Sequence, residues 1–280
     1  MAWERAVLKE EDDMKKYPLL GDSLLINVSE GIATVTLNRP HAHNALSREL
    51  RTNMAIAIES VQADDDVGVI IITGAGDKAF SAGADLKEFE TAPLTPEEMG
   101  VESRFMRAFA ALQKPTIAAV NGYTVTGGFE IVANCDILVA STNARFADTH
   151  VRVGVLPGWG LSQYLVRMIG PVRTRYLSFT GNYLDAQTAK DWGLVLEVVE
   201  PDQLLPYCRK MAQDILSVDR DTLRDYRNII REGLDTTVEQ GLKLESSLGK
   251  AGLARFDATN FGKQRKTVMG RGRGQVGASD

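Results

Sequence analysis

The sequence predicts an α/β fold with mainly parallel strands, followed by a helical C-terminal region. Three observations carry this. Short apolar runs alternate with helix-periodic segments over the first two-thirds of the chain. Those runs are continuously apolar, the pattern of strands covered on both faces. After about residue 200 strand signals stop and only helical periodicity remains. A chain of 280 residues with 44% hydrophobic content can bury one large core and carry a smaller appendage.

Taken in order, "SLLINVSEGIATVTLNRP" is two apolar runs joined at Glu30-Gly31, a hairpin signature. "SRELRTNMAIAIESVQADD" places Leu50, Met54, Ile58 and Val61 at helical spacing. "VGVIIITG" reads as a buried strand ending in glycine. "VESRFMRAFAALQK" is helical, with Phe105, Phe109 and Leu112 on one face. "PTIAAVNG" and "DILVAS" are two further short buried strands. Segments 202–217, 219–233 and 237–255 then read as helices; Val238, Leu242 and Leu248 suit a lid or an oligomer contact. The expected organisation is an N-terminal extension (1–20), an α/β core (21–200), a helical region (201–266) and a flexible basic tail (267–280).

Composition excludes several classes. A net charge of -5 argues against general nucleic-acid binding, despite the basic tail. Cys135 and Cys208 lie far apart and read as reduced thiols. His41 and His43 form a His-Ala-His pair without supporting ligands, so no metal site is expected. No stretch approaches the ~20 apolar residues of a membrane span. The N-terminus, "MAWERAVLKEEDDMKKYPLL", is charged throughout and is not a secretory signal. The expectation is a cytoplasmic protein.

Two segments share a grammar. In "DKAFSAGADLKEF" a strand end runs through Ser81-Ala82-Gly83-Ala84 into a helix start, and in "VNGYTVTGGFEIVANCD" another runs through Gly127-Gly128 into a helix. Small residues at such turns let a ligand approach backbone N–H groups that have no intrahelical acceptor. Two such turns facing each other would hold one carbonyl oxygen from both sides, as an oxyanion hole does. Tight packing alone is the plainer explanation of the same glycines.

These stretches, with "GVLPGWGLSQYL" and "FTGNYLDAQTAKDWGLVLEVV", together resemble the enoyl-CoA hydratase/isomerase (crotonase) family over residues 22–266. The resemblance implies a spiral of repeated ββα units, a helical C-terminal region used for trimerisation, and a homo-oligomer, either a trimer or a dimer of trimers. It implies an acyl-CoA thioester as substrate, with coenzyme A part of that substrate and no separate cofactor. The N–H groups of Ala84 and Gly127 would form the oxyanion hole. Ala82, Ala84, Asp85, Leu86 and Lys87 would contact the coenzyme A moiety, and Lys263 its phosphates from a neighbouring subunit.

Hydratases of this family flank one water with two glutamates. One matches Glu130; the other falls on His150, where this sequence departs from the pattern. Beside an apolar acyl pocket, Glu130 suits a general base; its alternative role is to offset a helix dipole. The imidazole of His150 can exchange a proton near neutrality, delivering it to the α-carbon or orienting the water. Its alternative role is structural, with Asp148 or Thr149 as partner, and Asp148 is itself a further carboxylate. Trp159 either shapes the acyl pocket or packs. The implied reaction is addition of water to a trans-2-enoyl-CoA, giving a 3-hydroxyacyl-CoA. Isomerisation or other acyl-CoA chemistry on the same fold stays open, as does an acyl-CoA-binding protein that has lost catalysis.

Overall fold

The computed structural model describes Tyr17 and residues 21–93, 95–256 and 258–276. The expected N-terminal extension therefore lies, Tyr17 apart, outside the described residues. The chain divides into two compact units, Met1–Arg220 and Asp221–Asp280.

The hairpin forms as expected. β1 (Leu24–Ser29) and β2 (Ile32–Leu37) pair antiparallel, with Glu30 and Gly31 at φ 56° and 77°. Two successive left-handed residues match the twist of the strands they join. α1 (Arg48–Ala63) is capped by the Ser47 side chain, which accepts from the Leu50 N–H, and it buries Leu50, Met54, Ile58 and Val61. The chain then repeats one unit three times. β3 (Val69–Gly74) and β4 (Ala79–Ser81) lead into α2 (Leu86–Thr91), which is followed by α3 (Pro96–Met99) and α4 (Arg104–Ala111). β5 (Thr116–Val120) and β6 (Tyr123–Val125) lead into α5 (Gly127–Ala133). β7 (Ile137–Ser141) and β8 (Arg145–Ala147) lead into α6 (His150–Val153).

In each unit the first strand joins a six-stranded sheet and the second a four-stranded one. With β9 (Leu184–Asp185) and β10 (Glu197–Val199), the sheet orders are β1-β2-β3-β5-β7-β10 and β4-β6-β8-β9. β3, β5 and β7 run parallel, as do β4, β6 and β8. This is the ββα spiral that the resemblance implies. Phe80, Phe129 and Phe146, one from each unit, are fully buried in the main core, and the rings of Phe129 and Phe146 lie 5.4 Å apart. Three parallel strands of the small sheet therefore deliver three strand-to-helix turns to the same end, where α/β sheets bind their ligands.

α7 (Leu161–Thr180), bent at Gly170-Pro171, and α8 (Ala186–Asp191) follow. α9 (Leu204–Leu216) differs from expectation. Leu204, Cys208 and Ala212 pack with Ile32, Val69, Ile71, Ile117 and Val139 against the large sheet. This helix thus belongs to the core, and the unit boundary falls at residue 220 instead of 200. The second unit holds α10 (Arg220–Leu234), α11 (Val238–Ala254) and α12 (Ala258–Val276). α12 runs through most of the segment for which the sequence predicts a flexible tail. Val238, Leu242 and Leu253 are exposed there. Among the described residues, no helix is long and apolar enough to cross a membrane.

Candidate active site

The first two turns meet face to face. A Cβ placed on Gly83 would fall 2.8 Å from the Val125 carbonyl oxygen and 3.3 Å from the Gly127 nitrogen. Gly83 itself has φ 84°, a conformation that glycine adopts without cost. Ala84 follows directly and bridges Leu46 in parallel fashion. Gly127 opens α5, so its N–H has no acceptor within the helix. The residue before it, Thr126, is held at φ 45° and ψ -113°, a sparsely populated region for a β-branched side chain. The geometry thus brings the Gly83 backbone, next in sequence to Ala84, against Gly127.

Of the residues expected at the coenzyme A moiety, Leu86 and Lys87 are exposed beside Ala84. The Ala82 N–H donates to the His43 carbonyl at 3.0 Å. Asp85 is committed elsewhere: its carboxylate accepts from the Arg39 guanidinium at 2.9 Å. The Lys263 side chain lies outside the described residues. Among the described residues, no group of three or more His, Cys, Asp or Glu side chains is placed to hold a metal ion.

The second and third turns supply the charged groups. Glu130 sits one turn into α5 and is buried. Its Oε1 accepts the main-chain N–H of Trp159 at 2.7 Å, which fixes the carboxylate's orientation. Its Oε2 lies 3.6 Å from His150 Nε2. On the other face of the imidazole, Asp148 Oδ1 lies 2.6 Å from Nδ1. An ionised carboxylate only accepts, so Nδ1 carries a proton and Nε2 is the nitrogen turned to Glu130. Asp148 also accepts from the His150 N–H at 3.4 Å and from the Ser178 hydroxyl. All three charged side chains are buried: Asp148 is 3%, Glu130 4% and His150 6% exposed.

This arrangement decides the histidine's charge. Burial opposes the imidazolium. The hydrogen bond to Asp148, the contact with Glu130 and the fields of both carboxylates outweigh it and raise the pKa to about 9. For Asp148, burial again favours the neutral form, but His150 and Ser178 together hold the carboxyl below its ordinary range. At neutral pH the side chains therefore form a carboxylate–imidazolium–carboxylate chain. A water bound in front of both Glu130 and His150 meets an acceptor on one side and a charged donor on the other.

Glu130 and His150 stand out in the sequence and the structure brings them together, but two supports do not stand out. One is the Trp159 main-chain N–H, 29 residues from Glu130 in sequence. The other is Asn134, whose amide donates to the carbonyls of Glu130 at 2.8 Å and Trp159 at 3.0 Å, tying the two segments together. Neither has a sequence signature, because a main-chain donor and an i to i+4 amide look alike in any helix. Asp148 was visible as a further carboxylate; its bond to His150 was not.

The chain is similar to known proteins over most of its length. The model of the enoyl-CoA hydratase/isomerase family matches residues 27–262. The chain is 36% identical over 244 residues to "Probable enoyl-CoA hydratase 1, peroxisomal" of Arabidopsis thaliana, covering 87% of this chain and 91% of the relative. It is 35% identical to the crotonyl-CoA hydratase of Syntrophomonas wolfei, covering 80% of this chain and 87% of that one. A crystal structure of enoyl-CoA hydratase from Mycobacterium tuberculosis superposes with a TM-score of 0.70 and 43% identity, covering 82% and 98% of the two chains. With two strand-to-helix turns face to face and a family match over residues 27–262, the chain belongs to the enoyl-CoA hydratase/isomerase family.

Proposed function

We propose that this protein hydrates a trans-2-enoyl-CoA to a 3-hydroxyacyl-CoA, with Glu130 and His150 as its acid–base pair. The observation that carries the reading is the 3.6 Å approach of His150 Nε2 to Glu130 Oε2 beside the facing Gly83 and Gly127 turns. The thioester oxygen sits between the N–H groups of Ala84 and Gly127, which stabilise the enolate as it forms. Glu130 takes a proton from water as the water oxygen bonds to the β-carbon. The pair of electrons from the double bond moves towards the thioester. The Nε2–H of His150 then delivers its proton to the α-carbon. One cycle leaves Glu130 protonated and His150 neutral, and return of the proton from Oε2 to Nε2 resets the pair. Asp148 touches neither water nor substrate; it positions the ring and keeps it charged.

The relatives named as enoyl-CoA and crotonyl-CoA hydratases support the substrate class. Acid and base both come from side chains, so the reading uses no cofactor beyond the coenzyme A of the substrate. Leu86 and Lys87 remain proposed contacts to that moiety, and Lys263 a proposed contact to its phosphates. Exposed Val238, Leu242 and Leu253 suit a homo-oligomer, a trimer or a dimer of trimers.

The test is hydration of crotonyl-CoA, followed by loss of the conjugated thioester chromophore, for the wild type, Glu130→Gln and His150→Ala. Loss of one of the two groups is expected to cost on the order of 10²–10⁴ in kcat. A wild type that binds the thioester without turnover refutes the reading and leaves a binding protein. Migration of the double bond without hydration makes it an isomerase.

A further inference from the structure

Trp159 occupies a position that its supporting role for Glu130 does not explain. Its main chain holds Glu130, but any residue except proline supplies that N–H. Its side chain is 6% exposed and lies against the oxyanion turn: a Cβ on Gly127 would fall 3.4 Å from the Trp159 ring atom Cζ3 and 3.2 Å from Leu46 Cδ1. The far side of the wall is Phe105, at the start of α4, whose ring centroid is 4.9 Å from the indole. Gly127, Leu46, Trp159 and Phe105 thus form a continuous apolar wall, and its Gly127 end carries one of the two proposed oxyanion donors.

The indole is costly as simple packing. Its Nε1–H is buried and has no acceptor among the described residues. Leaving such a donor unpaired is destabilising, and a buried tryptophan ordinarily finds a partner for it. A phenylalanine would fill much of the same space with no orphaned donor. The indole's extra ring therefore needs another account, and it lies against the turn that carries Gly127.

We infer that the Trp159 indole, backed by Phe105 and Leu46, closes the acyl pocket and restricts the substrate to a short acyl chain. This rests on the acyl-CoA reading above and names the substrate within that class. A chain anchored by its thioester oxygen at Ala84 and Gly127, with its double bond at Glu130 and His150, meets the indole soon after the β-carbon. Each methylene that fits or fails to fit an apolar pocket changes discrimination roughly 10- to 200-fold.

The experiment compares kcat/KM for crotonyl-, octenoyl- and dodecenoyl-CoA in the wild type, Trp159→Ala and Trp159→Phe. Each enzyme is scored by its own ratio of long to short substrate. Both variants keep the N–H that holds Glu130. The wild type should prefer crotonyl-CoA over octenoyl-CoA by on the order of 100-fold. Trp159→Ala should raise the octenoyl-to-crotonyl ratio by roughly 10-fold or more, with Trp159→Phe between them. If Trp159→Ala does not fold, the milder Trp159→Phe must still move the ratio in that direction. A wild type that hydrates dodecenoyl-CoA as well as crotonyl-CoA overturns the inference, as does a ratio indifferent to position 159. Calorimetric binding of saturated butyryl- and dodecanoyl-CoA separates the two readings. If nothing is hydrated but butyryl-CoA binds tighter and Trp159→Ala reverses the order, the pocket assignment stands while the hydratase reading falls. Equal binding of the two chains overturns the pocket assignment whatever the turnover.

Discussion

The charge on His150 depends on Asp148, and Asp148→Asn isolates that dependence. The amide keeps the side chain's shape and can still accept from Nδ1, but the negative charge 2.6 Å from the ring is gone. In the wild type, burial works against the imidazolium and two carboxylates outweigh it, for a pKa of about 9. Without Asp148, only Glu130 at 3.6 Å opposes the same burial, so the pKa falls from about 9 towards the ordinary imidazole value. Each tenfold step of that fall is roughly 1.4 kcal/mol. At pH 8 about nine-tenths of the wild-type rings are imidazolium, and a fall of about two pH units leaves about one-tenth, a loss of roughly 10-fold in the form that donates to the α-carbon. The assay is kcat/KM for crotonyl-CoA from pH 5.5 to 10. The wild type should lose activity as pH rises through about 9, and the variant at a clearly lower pH. An alkaline limb at the same pH in both enzymes would refute the claim that Asp148 sets the histidine's charge.

Two further outcomes follow from the same geometry. Because the folded-state pKa of His150 is raised, its contribution to stability is complete below about 6.5 and is lost as pH rises through about 9. Urea unfolding of wild type and His150→Gln should show a gap that shrinks by up to ~3 kcal/mol between those pH values; a gap that widens contradicts the assignment. Gly128→Ala places a Cβ 2.5 Å from the Ser81 carbonyl oxygen and 2.8 Å from Ser81 Cβ, where backbone cannot yield. It should destabilise by about 1–3 kcal/mol or prevent folding, read from the denaturation midpoint; an unchanged midpoint refutes the close approach of α5 to β4.

Much of the fold was legible because its long elements carry strong patterns. The four apolar positions of α1 and the all-buried β3 announce themselves by periodicity and by continuous apolarity. The small sheet does not, since strands such as Ala79–Ser81 and Arg145–Ala147 are three residues long and shorter than any pattern. Its existence shows only once Ala79 pairs with Tyr123, and Tyr123 with Arg145. The site divides the same way. Glycines and a glutamate at strand-to-helix turns leave a trace in sequence. The main-chain donor that holds Glu130 leaves none. Asp85 lies within the stretch expected at coenzyme A, and its ion pair with Arg39, a residue 46 positions away, likewise left no trace in the sequence.

The departure at position 150 is coupled to Asp148 through the ring contact, and this makes a last prediction. A pair of glutamates sharing one proton carries a single negative charge. Glu130 and a charged His150 alone would carry none; with Asp148 the three carry one negative charge again. His150→Glu is therefore no simple restoration. It sets a new carboxyl beside the buried Asp148, in the space where the imidazole now donates at 2.6 Å, and leaves three carboxyl groups with no cation among them. Like charges in a buried site force protons onto the carboxylates, and protonation of Glu130 would remove the base. The single variant should lose as much activity as His150→Ala. Adding Asp148→Asn removes the third charge, and the double variant should recover at least ~10-fold over His150→Glu, a coupling that shows directly in a double-mutant cycle. Full activity in His150→Glu alone would mean that Asp148 plays no electrostatic part, and the reading of the histidine as a charged acid would fall with it.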